Sequence, residues 1–475
     1  MSQRASSSRR VSRRCSTVPL VVLCAALGGG VPASGATRRV RPRIVNGINT
    51  AGFPTTAALL ITDSTGPADR LATECTATVI GCHTALTAAH CVCPDDAETA
   101  RQCRGRQTDP ASLAVFLEHG GVFGVTAVTV NPEYHFGMRG DLALLTLDAA
   151  VDGIGPSPVN ATAALPFGTP VTVVGFGVTS DDAGDTGLLR SGKAVTAPCR
   201  ERIPDATNIC WNFDKPLGPA GGDSNTCAGD SGGPLFVDAG DGPVLAGVTS
   251  GGFPTCAPNS VSWDTDVFSE RDWIAHTAGP DLGTQPCGSL PNVGEPGTWT
   301  ESFRGTLTPA QSQGRASFTV VAGTQLLRVA LTGDEEDPSG AASIFNDNDF
   351  DLYVRADAPP TTSEFDCGDR SIGTFGFCAI ENPQPGTWHA LAQRATGRGS
   401  YQLTATTFAG AAPCGGDCNG DGSVTVVELI RGVNIALGTT PIDACASFDT
   451  NGDGEVAVNE LVAGVNGALT GCPPG

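Results

Sequence analysis

Sixteen of the 18 cysteines lie beyond residue 43, behind an N-terminal stretch with the layout of an export signal. Arg9, Arg10, Arg13 and Arg14 form a basic start, and Val18 to Leu27 is a short apolar core. Small residues at Ala33-Ser34-Gly35-Ala36 then supply a cleavage site. An exported chain matures in an oxidising compartment, so its even set of cysteines is expected in disulfides. Residues 1–36 are read as a signal peptide, and the protein as secreted, extracellular or attached to a cell surface. The apolar run is too short to span a bilayer, and no later segment qualifies. No cysteine pair has the spacing and histidine partners of a zinc site.

A chain of 475 residues exceeds a single core, so two or three domains are expected. Its 62 Gly and 34 Pro predict short strands and many turns, hence a mainly β protein. The net charge is −21, and loss of the nine arginines in residues 1–43 takes it to −30. Such an acidic surface excludes nucleic acid as a partner, because phosphate binding needs a basic footprint. It suits solubility and calcium.

Three blocks follow the leader. Residues 44–279 alternate apolar strands with Gly and Pro turns and close on a helical stretch at Glu270 to His276. Residues 280–297 have the composition of a linker. Residues 298–410 alternate like sandwich strands, as in Ser317-Phe318-Thr319-Val320. Residues 411–475 hold an internal repeat: 417–437 matches 449–469 at 14 of 21 positions.

Chemistry concentrates in three segments: Thr87-Ala88-Ala89-His90-Cys91, Asp141-Leu142-Ala143-Leu144-Leu145 and Gly229-Asp230-Ser231-Gly232-Gly233-Pro234. A serine hydroxyl is a weak nucleophile at neutral pH and needs an adjacent imidazole to take its proton. That imidazole in turn needs a buried carboxylate to fix its tautomer. His90, Asp141 and Ser231 are therefore the expected catalytic set. Glycines around Ser231 allow a tight turn that aims the N–H groups of Gly229 and Ser231 at a developing oxyanion.

In this order the three segments resemble the trypsin/chymotrypsin family of serine proteases over residues 44–279. The resemblance implies a two-barrel chymotrypsin-like fold and a serine endopeptidase that acts on proteins or peptides without a catalytic cofactor. Arg43-Ile44-Val45-Asn46-Gly47 matches the family's activation site. By resemblance, an activating protease cuts after Arg43, residues 37–43 are a propeptide, and the freed Ile44 amino group pairs with Asp230. The family's disulfides fall on Cys75–Cys91, Cys199–Cys210 and Cys227–Cys256. Cys82, Cys93, Cys103 and Cys287 are additional, and their pairing is left open.

The resemblance also sets Asn225 at the floor of the primary specificity pocket. Gly252 and Ser262 form its walls, and Ser250-Gly251-Gly252 is the strand that pairs with substrate. Asn offers no charge, so a strict Arg/Lys preference is not implied, and a neutral or apolar preference is expected. Asp223 enters the pocket only if its loop is shifted.

Asp349-Phe350-Asp351-Leu352-Tyr353-Val354 and Asn382-Pro383-Gln384-Pro385-Gly386-Thr387-Trp388 resemble the bacterial pre-peptidase C-terminal domain, a β-sandwich. Cys367 and Cys378 lie between these motifs and are expected to bridge. In the terminal repeat, Asp417, Asn419, Asp421, Ser423, Thr425 and Glu428 stand where an EF-hand loop carries its oxygen ligands. Asp449, Asn451, Asp453, Glu455 and Glu460 repeat the pattern, with Ala457 leaving its place to water. The paired loops, each leading into an apolar-periodic helix, resemble dockerin modules. That implies a small helical module with structural Ca2+ and a cohesin-like or cell-surface partner. It departs from them in having Glu at the twelfth position and four cysteines.

Two other functional classes compete with an active protease. One is a protease-fold binding protein without catalysis, but such proteins usually lack a triad residue and none is missing here. The other makes the calcium module the principal device, docking the protease on a scaffold.

Overall fold

The computed structural model describes residues 44–63, 70–181, 183–200, 202–214, 218–240, 242–253, 255–335, 348–409, 415–418, 423–449 and 456–470. The expected signal peptide, the activation segment 37–43 with Arg43, and Asn419, Asp421, Asn451, Asp453 and Glu455 lie outside the described residues.

Residues 44–279 form two six-stranded antiparallel barrels with the same strand order. The first contains β1 (Thr56–Asp63), β2 (Arg70–Val79), β3 (Thr84–Thr87), β4 (Leu113–Leu117), β5 (Gly121–Val130) and β6 (Ala143–Leu147). It closes in the order β1-β2-β3-β6-β5-β4. The second contains β7 (Pro170–Gly175), β8 (Arg190–Ala197), β9 (Asn208–Phe213), β10 (Pro234–Asp238), β11 (Pro243–Phe253) and β12 (Ser260–Asp266). Its order is β8-β9-β12-β11-β10-β7, closed by β7 on β8. Closure removes the exposed edges that open sheets must protect. The helix α1 (Val267–Ala278) follows, capped by the Asp266 carboxylate on the Phe268 N–H and ended at Gly279 with φ +59°.

The stretch 280–297, expected to be a linker, is strapped to the first barrel. Cys287 is disulfide-bonded to Cys82. The Asp281 carboxylate accepts the His83 N–H (2.9 Å) and the Thr84 hydroxyl (2.7 Å). Composition favoured a spacer, but a disulfide and side-chain caps tie these residues down.

The sandwich contains β13 (Thr298–Leu307), β14 (Gln313–Val320), β15 (Thr324–Gly333), β16 (Asp349–Ala356), β17 (Cys367–Asp369), β18 (Gly376–Glu381), β19 (Gly386–Thr396) and β20 (Gly399–Ala409). One sheet runs β13-β20-β15-β18 and the other β14-β19-β16-β17. In β14, Gly314, Ala316, Phe318 and Val320 point inward while Gln313, Arg315, Ser317 and Thr319 face water, the two-residue period of a half-buried strand. Cys367 and Cys378 are bonded across β17 and β18.

The sandwich seats on the first barrel: Phe375 enters the barrel's core, its ring 5.0 Å from Phe116. Further along, α2 (Val426–Ala436) and α3 (Val458–Thr470) pack around Phe448, which is fully buried. Gly432 and Gly464 hold equivalent places in the repeat, and a Cβ on either would sit within 2.5 Å of the Phe448 ring. Cys418–Cys445 staples this unit.

Candidate active site

β3 and β6 are hydrogen-bonded neighbours, with Thr87 opposite Ala143. The residues just after β3 and just before β6 therefore meet at one end of the barrel. His90 sits there in a single 3-10 turn, Ala89–Cys91, anchored by the Cys75–Cys91 disulfide. Asp141 lies one residue before Leu142 and β6 and is 1% exposed. Its Oδ1 accepts the His90 backbone N–H (2.9 Å). Its Oδ2 faces His90 Nδ1 (2.7 Å) and accepts the Ser250 hydroxyl (2.6 Å). A buried carboxylate on Nδ1 keeps the proton there and leaves Nε2 as the basic nitrogen. Burial opposes the imidazolium, but the charge and hydrogen bond of Asp141, with a smaller push from Glu74, hold the His90 pKa above its ordinary value.

Ser231 is half-buried in the turn that enters β10. Gly229 has φ +87°, and a Cβ on Gly232 would stand 2.1 Å from Thr87 Oγ1, so both places demand glycine. The Ser231 carbonyl accepts the Thr76 N–H of β2 (2.8 Å), and Gly232 N–H donates to Thr249 of β11 (2.8 Å). Thr249 thus holds the serine turn while its neighbour Ser250 holds Asp141. Two adjacent residues of one strand join the two halves of the site. Among the described residues, neither the N–H groups of Gly229 and Ser231 nor the Ser231 hydroxyl makes an intramolecular hydrogen bond.

Asp230 is fully buried. Its oxygens accept the N–H groups of Gly177 (2.8 Å) and Cys227 (2.8 Å), and burial pushes its pKa up to about 7.

Asn225 is also fully buried, and every hydrogen-bonding atom of its amide is used. Oδ1 accepts Trp211 Nε1 (3.1 Å) and the Ser262 hydroxyl (2.6 Å); Nδ2 donates to the Cys256 carbonyl (3.3 Å) and Ser260 Oγ (3.2 Å). Gly252 pairs with Ser262, and the Cys227–Cys256 disulfide brackets the region. Asp223 does not enter: it is exposed, and its carboxylate accepts the Gly218 N–H (2.7 Å) in its own loop. β10 stops pairing with β11 at Val248, so Ser250 to Phe253 present a strand edge beyond it.

Aromatic residues that motif reading did not single out line the histidine. Phe136 stands edge-on to His90 (5.4 Å between ring centres) and to Trp263 (6.2 Å). The Trp263 ring lies where a side chain at Gly251 would be, 2.5 Å from its built Cβ. Glu74 was likewise missed, since its effect on His90 arises only in the folded chain. Among the described residues, the remaining cysteines pair as Cys93–Cys103 and Cys199–Cys210.

In the terminal unit, Asp417, Ser423, Thr425, Glu428, Asp449 and Glu460 are among the described residues. Glu428 and Glu460 are 4% and 1% exposed. The Glu428 carboxylate accepts the N–H groups of Thr425 (2.8 Å) and Cys418 (2.9 Å), bonds that hold its pKa below the usual range.

Comparison with known proteins agrees with this geometry. The Trypsin family model matches residues 44–274, and that of the bacterial pre-peptidase C-terminal domain matches residues 315–393. Trypsin-1 of Astacus astacus is 29% identical over 219 residues, covering 43% of this chain and 87% of that protein. Tryptase of Mus musculus is 30% identical over 218 residues, covering 42% of this chain and 76% of that protein. Trypsin of Saccharopolyspora erythraea is 30% identical over 192 residues, covering 38% and 75%. The chain belongs to the trypsin family of serine proteases and is a serine-type endopeptidase with a bacterial pre-peptidase C-terminal domain behind its catalytic barrels.

Proposed function

We propose that the protein is exported as an inactive precursor and becomes an endopeptidase when the Arg43–Ile44 bond is cut. Ser231 Oγ attacks the scissile carbonyl while His90 Nε2 takes its proton. Asp141 holds the imidazole and stabilises the imidazolium, and the N–H groups of Gly229 and Ser231 receive the oxyanion. His90 then gives the proton to the departing amine, leaving an acyl-enzyme that water hydrolyses by the same relay in reverse. The observation that carries this reading is the 2.7 Å contact of buried Asp141 Oδ2 with His90 Nδ1.

Two features support activation at Ile44. Its side chain is fully buried against Val171 and Val173, yet its φ is +37°, a backbone that β-branched residues avoid. Cutting the preceding bond removes that constraint. Each Asp230 oxygen already holds one N–H and retains a free lone pair for the new ammonium. N-terminal sequencing of active protein is expected to begin at Ile44, with Arg43→Gln remaining inactive. Activity of the uncut variant equal to that of wild type would refute the zymogen reading.

The saturated amide of Asn225 supports a neutral or apolar primary preference. Gly252 and Ser262 line the pocket, and Ser250 to Gly252 pair with the substrate backbone.

For the terminal unit we propose two structural Ca2+ ions. Asp417, Asn419, Asp421, Ser423, Thr425 and Glu428 would hold one, and Asp449, Asn451, Asp453, Glu455 and Glu460 the other. The donors are all oxygen, as a hard cation requires, and the burial of Glu428 and Glu460 suits ligands facing an ion. The ions would pin the loops at the starts of α2 and α3. Val426 and Ile430 of α2 and its C-cap Leu437 are 71%, 57% and 70% exposed, and their repeat equivalents Val458, Val462 and Leu469 of α3 are 76%, 51% and 79% exposed. Two matched apolar stripes of this kind suit attachment to a cohesin-like or cell-surface partner. Calcium-dependent capture of such a partner is expected, and calcium-independent capture would refute the link.

A further inference from the structure

A second contact between the sandwich and the barrels, beside Phe375, lies at the end of β15. Its last residue is Gly333, and Asp334 and Glu335 follow, each 4% exposed. Glu335 Oε1 accepts the Thr73 N–H (2.9 Å) and hydroxyl (2.6 Å) on β2, and Oε2 accepts the Thr186 hydroxyl (3.3 Å). Its N–H donates to the Thr186 carbonyl (3.0 Å). The Asp334 carboxylate stands 3.5 Å from Arg190 Nη2, itself oriented by the Ser400 N–H on its other oxygen (2.7 Å). The sandwich thus lays two carboxylates against the loop between β7 and β8.

Arg190 is fully buried, and a buried guanidinium needs both anions and acceptors. It donates to the carbonyls of Gly177 (2.6 Å) and Asp185 (2.7 Å), the beginning and the outer turn of that loop. The N–H of Gly177 donates to Asp230 Oδ1 (2.8 Å). Gly177 therefore carries Arg190 on its carbonyl and Asp230 on its amide. Asp230 stands between Gly229 and Ser231, the two residues whose N–H groups face the oxyanion. The loop's far end is equally tight: a Cβ on Gly187 would lie 2.4 Å from the Gly333 carbonyl. Beside Gly177, the Phe176 ring is 6.4 Å from Phe375 of the sandwich.

We propose that the sandwich is a working part of the catalytic machinery, with Asp334 and Glu335 as positioning residues that brace the Gly177–Gly187 loop and, through Arg190 and Asp230, the oxyanion-binding turn. A 3.5 Å ion pair from Asp334 to Arg190, then hydrogen bonds through Gly177, lead to Asp230, the residue between the Gly229 and Ser231 peptides. Because the donors must stand about 2.7–3.1 Å from the oxyanion with little tolerance, loosening one end of this path acts on the transition state rather than on substrate binding.

The inference rests on the serine-protease reading of Ser231, and the two fail separately. Full-length protein cut after Arg43 is titrated with a serine-directed phosphonate, so that kcat is expressed per reactive Ser231. Wild-type protein that takes no label sinks the serine-protease reading itself. Given labelled wild type, Asp334→Asn and Glu335→Gln are each expected to lower kcat per reactive site about tenfold or more. KM is expected within about twofold of wild type, the acid limb of the pH profile unmoved, and Asp334→Glu partly restored. A purely structural role would reduce the number of reactive sites and leave kcat per site intact, and that result overturns the proposal. If Asp334→Asn does not fold, Thr73→Val with Thr186→Val removes both barrel-side hydroxyls from the Glu335 carboxylate and carries the same expectation. If none of them folds, amide exchange in the native protein decides. Protection of the Gly177–Gly187 loop equal to that of β15 supports the brace, and exchange at the rate of an exposed loop overturns it.

Discussion

Replacing Glu118 by Gln is expected to stabilise the protein, increasingly so as pH rises. Glu118 follows β4 and is 2% exposed beneath the sandwich. Its Oε1 accepts Thr332 Oγ1 (3.2 Å) and Gln402 Nε2 (2.9 Å), while Oε2 has no partner among the described residues. Burial pushes its pKa from 4.5 up to about 8, so the folded protein prefers the neutral acid. A raised folded-state pKa gives stability that is full below the unfolded pKa and lost as pH climbs through the folded one. At 1.36 kcal/mol per unit, the loss is about 1 kcal/mol at pH 5, about 3 at pH 7 and about 4 at pH 8. Gln substitutes one neutral group for another of the same volume and still accepts from Thr332 and Gln402, so the loss disappears.

His119 beside it is pushed down to about 4 by burial, so it weakens the fold as pH falls below its ordinary value. That slope belongs to both proteins and cancels in the difference. Denaturant unfolding of full-length wild type and Glu118→Gln at pH 5, 6, 7 and 8 measures it. A difference that stays flat with pH refutes the buried-acid argument.

Other outcomes follow from single contacts. Because neutral His90 is the active base and its pKa is held high, activity is expected to be lost in acid from above the usual histidine range, and Glu74→Gln to move that limb downward. A kcat/KM profile that ignores Glu74→Gln contradicts the assignment. Asn225→Asp removes the donor to Cys256 and Ser260, and is expected to destabilise by about 1–3 kcal/mol in thermal or denaturant unfolding. A substitution that left stability intact and conferred strong Arg/Lys cleavage would show the floor to be freer than these bonds require. Calcium removal by chelator is expected to lower the unfolding temperature of the terminal unit, Glu428→Gln to reduce that response, and Glu428→Gln with Glu460→Gln to abolish it. Identical melting with and without the ion refutes the ligand set.

The chemistry was legible in the sequence because each of its parts is local. His90 lies one residue from the cysteine that anchors it, Asp141 sits at a strand start, and Ser231 stands among glycines whose positive φ no other residue takes readily. The mainly β fold followed from period and turn composition. Non-local pairings were not legible. Cys82 and Cys287 lie 205 residues apart and meet only because the strap after α1 returns to the first barrel. The same strap, rich in Pro and Gly, resembled a spacer until Asp281 and Cys287 were seen to fasten it. Arg190, Asp334 and Glu335 belong to no motif, and only the docking of two domains makes them neighbours. Asn225 was placed by resemblance, but the closure of its amide by Trp211, Ser260, Ser262 and Cys256 is a property of packing.

Covalent labelling tests the central claim most directly. Protein cut after Arg43 and treated with a serine-directed phosphonate is expected to take one label per chain, on Ser231. The label should vanish in Ser231→Ala and slow greatly in His90→Ala, while uncut Arg43→Gln stays unlabelled. Cut protein that remains unmodified at Ser231, or is labelled elsewhere, would contradict the account.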